Sequence, residues 1–448
     1  MQIPDEVKIL INKFNEKGFK SYLVGGCVRD YLMGIKVNDY DLATDATPDE
    51  TSKVFSHTHP VGVDFGTVLV IIQGKGFEVT SFRKDIETDG RHAKVEFSRN
   101  LIDDLNRRDF TINAIAYDPL KDEYIDPFKG REDIKNKILQ SVGDSRKRFK
   151  EDYLRILRGI RFAARFKLQI EQSVKEAISE TKNGINILSD ERIREEILKS
   201  LEQIDKPSDY FNLMDELSVL AVILPELTEL KGVEQNYYHL YDCFTHTMVS
   251  IDRIKKKYPL LRLTVLLHDI AKPECKTFKN EKKDFTFTGH DRQGANIAKK
   301  IMTRLKFSKD EIKYVTTLIK NHLYILNENA TKPAIRRYIN RIGKEYLKDM
   351  FRFHFADVYS HRFAEQRRKE VLNFYRRIKE VLKEENVFSI KDLAINGYDL
   401  KDMGLEPSPL FSKILKHCLE IVLDNPDKNK KEILIDEVKK YLQTSSGL

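Results

Sequence analysis

The stretch Tyr22–Thr44, YLVGGCVRDYLMGIKVNDYDLAT, decides the fold of the N-terminal part of the chain. Its apolar residues 22–24 predict a buried strand that ends at the flexible pair Gly25 and Gly26. Glycines carry no Cβ, so the backbone can approach a phosphate closely, and successive amide N–H groups in such a turn form an anion-binding concavity. Arg29 can add further donors to phosphate oxygens.

Two acidic residues follow in the segment Asp39-Tyr40-Asp41. In a strand over residues 39–44, side chains would alternate and both carboxylates would point to one face. Two like charges at that spacing need a cation, and oxygen ligands suit Mg²⁺ shared with substrate phosphates during nucleotidyl transfer. Either motif alone is more often a surface turn or a solvated strand end. The order strand, glycine pair, Arg-Asp and Asp-x-Asp is more specific.

A second motif, RRDFTINA, occupies residues 107–114. The paired arginines Arg107 and Arg108 offer planar groups of donors to phosphate oxygens, and Asn113 can donate to a ribose hydroxyl. An isolated Arg-Arg-Asp sequence usually forms a surface salt bridge. Here the motif continues into an apolar segment, which favours a buried site.

Together the two motifs resemble those of the nucleotidyltransferase superfamily that includes DNA polymerase β, and more closely its class II tRNA nucleotidyltransferase and bacterial poly(A) polymerase branch. The resemblance implies that Asp39 and Asp41 hold two Mg²⁺ ions. It implies a third carboxylate, either Glu78 or Asp109, and we prefer Glu78 because superfamily members place this group on a neighbouring strand. The implied nucleotide-binding residues in the head are Gly25, Gly26, Arg29, Arg108, Asp109 and Asn113.

The segment EDYLRILRGIR, residues 151–161, has helical spacing, so Asp152 and Arg155 would share a helix face and could bond each other. Most such pairs are surface ion pairs. The segment also resembles the family's EDxxR motif, which implies that Asp152 and Arg155 select cytosine or adenine by hydrogen bonding in place of a template. Arg158 and Arg161 continue this basic face and either contact nucleotide or tRNA, or flank the core.

Further along lie His246, the pair His268-Asp269 after an apolar run, and Asp357. A single histidine is more often a core or surface residue than a ligand, but a buried His-Asp pair is costly unless it is paired or bound to a metal. The order resembles the HD phosphohydrolase domain. The resemblance implies a transition metal at these residues and a second metal at His290 and His322. Alternatively, this part of the chain serves only as a tRNA-binding body.

The composition fits a multidomain, mostly helical protein of 448 residues with a net charge of +8 and 78 Lys and Arg residues. The four cysteines show no CxxC pairing, which favours core residues in a reducing cytoplasm. No run of apolar residues is long enough to predict a membrane span. Strands are predicted at residues 21–24, 39–44, 67–73, 77–82 and 113–118, and after Asp144 the pattern is helical with almost no strand signal.

We therefore predict an α+β fold, in which a polymerase-β-like head with a small mixed sheet precedes a mostly helical neck and body. The predicted regions are a catalytic head (1–140), a nucleotide-selecting neck (141–205), a body with the HD domain (206–385) and a C-terminal tRNA-binding region (386–448). The polar segment Lys84–Phe97 is predicted as a mobile loop, which in the family is associated with the switch from C to A addition.

The predicted function is addition of C, C and A to the 3′ end of tRNA from CTP and ATP, with a possible second, hydrolytic activity. The alternatives are A addition alone, poly(A) synthesis, or a metal phosphohydrolase acting on RNA ends. The C-terminal residues 396–419 resemble the end of HD-bearing bacterial CCA-adding enzymes, which favours the tRNA enzyme. The sequence leaves the oligomeric state open.

Overall fold

The computed structural model describes residues 1–62, 66–88, 93–325, 329–384 and 387–445. The chain divides into two compact units, Met1–Thr228 and Glu229–Leu448. Across these described ranges, no helix combines the length and apolar character that crossing a membrane requires.

The first unit contains both strands and helices. Its strands are β1 (Ser21–Val24), β2 (Leu42–Thr44), β3 (Thr58–Gly62), β4 (Thr67–Ile72), β5 (Lys75–Ser81), β6 (Arg83–Thr88), β7 (Ala93–Phe97), β8 (Ala116–Asp118), β9 (Glu123–Ile125), β10 (Ile138–Leu139) and β11 (Gln169–Ile170). Its α-helices are α1 (Asp5–Glu16), α2 (Gly26–Leu32), α3 (Pro48–Val54), α4 (Leu101–Asn106), α5 (Gly130–Asn136), α6 (Ser145–Glu151), α7 (Leu154–Phe166), α8 (Gln172–Thr181), α9 (Asp190–Gln203), α10 (Ser208–Glu216), α11 (Leu220–Ile223) and α12 (Pro225–Thr228).

Within the described residues, seven strands form one mixed sheet in the order β3-β4-β5-β2-β1-β8-β9. β2 lies between β1, to which it is antiparallel, and β5, to which it is parallel. Helix α1 covers this sheet because its apolar residues recur every three or four positions and are all buried. These residues, Val7, Leu10, Ile11 and Phe14, join the side chains of the strands in one core.

Two strands begin later than predicted. Residues 39–41 are irregular and β2 starts at Leu42, although the Val24 amide donates to the Asp41 carbonyl at 3.1 Å. The predicted strand over 113–118 is a 3₁₀ turn at Thr111–Asn113 followed by β8. In that turn the Asn113 amide donates to the Phe110 carbonyl, so the backbone curls before it joins the sheet.

The prediction of a mobile loop over Lys84–Phe97 is wrong for the described residues, because β6 and β7 form an antiparallel hairpin there. Arg83 pairs with Phe97 at its base, and Lys84 makes an ion pair with Glu96 at 2.9 Å. The prediction was based on the many polar residues of this segment. It overlooked that β-branched and charged residues alternate there, as they do in strands. Residues 89–92 lie outside the described residues.

The second unit is helical apart from one short hairpin, within the residues that the structure describes. Its α-helices are α13 (Cys243–Ile251), α14 (Pro259–Leu267), α15 (Lys272–Cys275), α16 (His290–Arg304), α17 (Lys309–Asn321), α18 (Lys332–Ile342), α19 (Leu347–Asp357), α20 (Ala364–Glu384), α21 (Gly397–Asp402), α22 (Pro409–Asp424) and α23 (Lys431–Ser445). The hairpin consists of β12 (Thr277–Lys279) and β13 (Asp284–Thr286). The strands after Asp144 in the described residues, β11, β12 and β13, have only two or three residues each, in agreement with the weak strand signal of this part of the sequence.

Candidate active site and candidate metal centre

The glycine turn after β1 meets the second motif. Gly25 has a φ of 70°, a backbone conformation that favours glycine. A Cβ on Gly25 would lie 2.8 Å from Nη1 of Arg108, so a side chain at this position would collide with the guanidinium. Arg108 is itself held by Asp104, whose Oδ2 accepts from Nη2 at 3.0 Å. Gly26 follows as the first residue of α2.

Three carboxylates lie around the start of β2. Asp39 and Asp41 are exposed, immediately before the strand. Because β2 runs parallel to β5 with Leu42 beside Val79, Asp41 lies next to Glu78. Partial desolvation and the nearby Glu78 carboxylate raise the pKa of Asp41, while Arg108 opposes this shift. The three acids therefore share an electrostatic environment in which a cation would be stabilising.

Asp109, the alternative third carboxylate, is engaged inside the protein. Its Oδ1 accepts from the Phe110 amide and from Nδ2 of Asn113, both at 2.9 Å, and its Oδ2 accepts from Nε of Arg158 at 2.8 Å. Burial acts to raise the pKa of Asp109, but the Arg158 guanidinium and the Asn113 hydrogen bond lower it to about 2. These contacts favour Glu78 over Asp109 as the metal ligand.

Arg29 does not lie open to a phosphate as the sequence suggested. Its guanidinium is buried against the rings of Phe162 and Phe166, and it donates to Asp30 and, at 2.6 Å, to Oδ1 of Asn113. Asn113 is likewise bonded on both sides of its amide instead of being free for a ribose. Hydrogen bonds thus link Arg158, Asp109, Asn113, Arg29 and Asp30 in that order, and we call this set the polar chain.

Sequence reasoning did not single out Asp104. It is completely buried and accepts from Arg107 at 2.7 Å and from Arg108 at 3.0 Å. Two charged partners compensate for the cost of burying its carboxylate, and they lower its pKa against the effect of burial. The spacing of three and four residues from Asp104 to the two arginines was the available signal.

The predicted nucleotide-selecting pair lies where the helix is broken. Asp152 has an extended backbone between α6 and α7, so it does not share one helix face with Arg155 as predicted. Its Oδ2 accepts from Arg192 at 2.7 Å, whereas Arg155 donates to Glu151 at 2.7 Å. The two side chains are thus held by different partners at the start of α7.

The two further arginines of α7 serve different neighbours. Arg158 belongs to the polar chain. Arg161, predicted as a possible nucleotide contact, is buried and donates to Glu196 at 2.7 Å and to Gln203 at 3.0 Å. It flanks the core, which was the other interpretation of the sequence.

In the second unit, the predicted ligands converge as two groups. The first contains His246, His268 and Asp357, and the second contains Asp269, His290 and His322. In the first group, Nε2 of His246 and Nε2 of His268 lie 3.0 Å and 3.2 Å from Oδ1 of Asp357. In the second, Nε2 of His290 and Nε2 of His322 are 3.3 Å apart.

Asp269 connects the two groups. Its Oδ2 lies 3.1 Å from Nε2 of His268, and its Oδ1 lies 3.4 Å from Nε2 of His290. One carboxylate therefore offers an oxygen to each group. Oδ2 is also 2.7 Å from Nζ of Lys272, a buried cation that the sequence analysis did not select despite its position one helical turn after Asp269.

The outward-facing nitrogens of the four histidines are all anchored. Nδ1 of His246 is 2.6 Å from Oγ of Ser360, and the other three donate Nδ1–H to the carbonyls of Val265, Phe287 and Ile319 at 2.6–2.7 Å. In a neutral imidazole anchored in this way, Nε2 is the nitrogen left free and it points into the cluster, which is the tautomer that a metal ligand requires. This donor set fits a pair of divalent ions.

The electrostatics of the cluster also favour a cation. Burial lowers the pKa of His268, but the carboxylates of Asp269 and Asp357 outweigh burial and raise it to about 10. The histidines and Lys272 in turn hold the pKa of Asp269 well below its ordinary value, against the effect of burial. The two carboxylates therefore stabilise positive charge at the inward-facing imidazole nitrogens, as they would stabilise a bound cation.

Three family models match successive parts of the chain. The Poly A polymerase head domain matches residues 21–140, an RNA- and SrmB-binding site of polymerase A matches residues 167–231, and tRNA nucleotidyltransferase domain 2 matches residues 276–438. The CCA-adding enzyme of Ligilactobacillus salivarius is 31% identical over 98% of both chains. The chain belongs to the CCA-adding enzyme family.

Other relatives of this family align over different lengths. The chain is 29% identical to the CCA-adding enzyme of Staphylococcus saprophyticus over 98% of each. It is 43% identical to that of Staphylococcus haemolyticus, but over 47% of this chain and 53% of the relative. Among solved structures, the Bacillus stearothermophilus CCA-adding enzyme in complex with CTP aligns over 100% of both chains with a TM-score of 0.73 and 24% identity. The predicted family, enzyme class and fold class are confirmed.

Proposed function

We propose that this chain adds C, C and A to the 3′ end of tRNA, using CTP and ATP, and that Asp39, Asp41 and Glu78 form its catalytic centre. The observation that carries this proposal is the strand register that sets Asp41 beside Glu78, close to the Gly25 turn and Arg108. The turn and Arg108 bind the triphosphate. The three carboxylates hold two Mg²⁺ ions, which when bound neutralise phosphate charge and acidify the tRNA 3′-hydroxyl.

Base choice is assigned to Asp152 and Arg155 at the start of α7. A carboxylate accepts from the exocyclic amino group of C or A, and a guanidinium donates to the adjacent ring nitrogen, whereas G and U present the opposite pattern. Arg192 and Glu151 orient the two side chains in the free protein. When the base binds, its hydrogen bonds replace some of these contacts.

The assignment of regions follows the sequence prediction. Residues 1–140 carry out transfer, residues 141–205 choose the nucleotide, and residues 386–448 contribute to tRNA binding. The described cysteines are free thiols, consistent with work in the reducing cytoplasm.

A second activity is supported by the two ligand groups around Asp269. We assign to them a pair of divalent transition-metal ions, held by His246, His268 and Asp357 on one side and by His290 and His322 on the other, with Asp269 shared. Bound ions of this kind activate water and polarise a phosphate ester. Hydrolysis adds water across the ester P–O bond and releases an alcohol and a phosphate.

The test of nucleotidyl transfer uses tRNA that ends before CCA, after C, or after CC, with each nucleoside triphosphate supplied alone and products resolved to single nucleotides. We expect CTP to extend the first two and ATP the third. Replacing Asp41 with Asn should reduce every step by at least roughly a thousandfold, because it removes a charged ligand and no core volume. The matched control is Asp49→Asn, an exposed acid in the first turn of α3.

Two results would redirect the assignment. Incorporation by the Asp41→Asn variant at the wild-type rate would show that the metal ligands lie elsewhere. Repeated A addition to any RNA without a need for CTP would identify a poly(A) polymerase, and A addition only to the CC-ending tRNA would identify an A-adding enzyme.

A further inference from the structure

Three exposed aromatic rings cluster near the two ligand groups of the second unit. Tyr237, Tyr238 and Phe363 are 59%, 47% and 42% exposed, and we call them the aromatic platform. Their ring centroids are 5.9 Å, 6.2 Å and 6.3 Å apart, so each ring touches the other two. Large rings are normally buried, and a contiguous exposed set of them marks a binding surface.

The platform is held rigidly by backbone contacts between two segments. The Arg362 amide donates to the Tyr238 carbonyl at 2.7 Å, and Nε of Arg362 donates to the Tyr237 carbonyl at 2.9 Å. The Arg362 guanidinium also lies over the Tyr237 ring at 4.6 Å. The rings are therefore already ordered before any ligand arrives, which reduces the entropic cost of binding.

A series of contacting rings, one pair stacked and two pairs edge-to-face, leads from the platform to His246 of the first ligand group. Tyr238 stacks on His361 with centroids 5.7 Å apart, His361 contacts His239 at 5.2 Å, and His239 contacts His246 at 5.3 Å. Of the six ligand side chains, Asp357 is the one that reaches solvent. Asp357, just before the segment that carries Phe363, is 28% exposed, whereas the other five ligand side chains are almost fully buried.

A basic hairpin adjoins the platform. Asp284 of β13 accepts from the Tyr237 amide at 3.0 Å, which joins the β12–β13 hairpin to the platform. The hairpin exposes Lys279, Lys282 and Lys283 beside one exposed acid, Glu281, and leads into α16, which begins at the ligand His290. Positive charge beside flat exposed rings is the combination that binds single-stranded nucleic acid, with phosphates on the lysines and bases on the rings.

We propose that the aromatic platform and the β12–β13 lysines form a binding site for the unpaired end of an RNA strand, which presents its terminal phosphate to the ligand groups around Asp269. The proposal rests on the hydrolytic activity assigned above and adds the surface that holds the RNA strand. Stacking requires a base but no particular base, so the site takes single-stranded RNA with little sequence preference. An acidic protein segment would satisfy the lysines but would leave the rings without a planar partner.

The chain contains no tryptophan, so Tyr237→Trp introduces a single fluorophore at the platform. The probe is a single-stranded RNA hexamer with a 3′-phosphate, titrated into the full-length variant. We expect saturable quenching, and roughly tenfold weaker binding by an abasic hexamer of equal charge. The control is Leu372→Trp, at an exposed position on α20, which should show no saturable quenching.

Equal quenching by the abasic hexamer and by RNA, or no quenching by either, would contradict the proposal that the aromatic platform binds RNA bases. Quenching by poly-glutamate as strong as that by RNA would indicate a protein partner instead. The double variant Tyr238→Leu/Phe363→Leu keeps apolar bulk and should weaken RNA binding about tenfold, with circular dichroism as the check of folding.

Hydrolysis of p-nitrophenyl phosphate by the Mn²⁺-loaded wild-type protein separates the two proposals, because this compound is a phosphate monoester, like the terminal phosphate of the RNA, and carries no nucleobase. If the ester is not hydrolysed but the fluorescence titration succeeds, the hydrolase assignment fails and the platform stands. If the ester is hydrolysed but bases make no difference to binding, the platform fails. If both stand, the double variant lowers kcat/KM for the RNA more than for the ester.

Discussion

At the scale of single residues, the first unit is organised by buried charges that neutralise each other. Asp104 accepts from two arginines, Asp109 from Arg158, and Glu196 from Arg161. Removing one member of such a pair leaves the other charge buried and costs about 3–5 kcal/mol. Residues of motifs that the sequence analysis assigned to substrate binding thus also stabilise the fold through ion pairs inside the protein.

Asp109→Asn should lower the free energy of unfolding by about 2 kcal/mol at neutral pH, because it removes the charge partner of Arg158, whose side chain is 35% exposed. The folded-state pKa of Asp109, about 2, lies below the unfolded value of about 4, so its stabilising effect is complete above pH 4. The effect disappears as the pH falls through 2. The difference between variant and wild type, measured by urea unfolding, should therefore shrink from pH 4 downward.

The comparison for this experiment is Asp49→Asn, at an exposed position on α3, which should change stability little at any pH. A difference between Asp109→Asn and wild type that stays constant down to pH 2 would contradict the assigned ion pair.

The sequence predicted which residues meet in the candidate site better than it predicted what they bond. Gly25 and Arg108 do lie together, and the six predicted ligands of the second unit converge. Spacing reports proximity along one element, however, and says nothing of partners supplied by another element. Arg29 was therefore predicted to bind a phosphate, whereas in the structure it donates a hydrogen bond to Asn113.

At the scale of elements, α7 is placed by a close approach of its backbone to the second motif. A Cβ on Gly159 would lie 2.6 Å from Cζ of Phe110, whose ring is completely buried and cannot move aside. The absence of a side chain at Gly159 thus sets the distance between the start of α7 and residues 107–114.

Gly159→Ala should destabilise the protein by about 1–3 kcal/mol, since overpacking at Phe110 exceeds the helix propensity gained. It should also slow nucleotide addition, because α7 carries Arg155 and Arg158. Thermal unfolding and the tRNA extension assay measure the two effects. Gly397→Ala is the matched control, since its Cβ would meet Phe411 at an ordinary 3.7 Å. An unchanged Gly159→Ala variant would show that α7 has room to shift.

Strands with apolar alternation were predictable, and β1, β4 and β5 lie close to their predicted bounds. The two hairpins β6–β7 and β12–β13 were not, because their charged residues suggested solvent-exposed loops. In each hairpin the ladder of backbone hydrogen bonds, which every sequence can form, stabilises the pair of strands.

At the scale of the whole molecule, each unit has an apolar core of its own. The sheet and α1 enclose one in Met1–Thr228, and a separate cluster that includes Leu400, Ile414 and Val438 lies near the end of Glu229–Leu448. Separate cores are expected to unfold in separate transitions.

Calorimetry of the full chain should therefore resolve two transitions with different ligand responses. Mg²⁺ with CTP should raise the melting temperature of one, and Mn²⁺ alone should raise that of the other, since each ligand stabilises only the unit that binds it. His268→Ala should remove the response to Mn²⁺ and keep that to CTP. A single transition raised by both ligands would contradict independent units.

Along the polar chain, which joins the second motif to α7, each hydrogen-bond donor faces an acceptor. Asn113 presents its oxygen to Arg29 and its nitrogen to Asp109, so the orientation of one amide is fixed by a cation on one side and an anion on the other. Exchanging Asn for Asp, or Asp for Asn, within the polar chain turns a hydrogen-bond donor into an acceptor, or an acceptor into a donor. The neighbouring residue then faces a group with which it cannot form the same hydrogen bond. We therefore expect the residues of the polar chain to vary together among homologous sequences, so that a change at one residue is accompanied by a change at the residue bonded to it.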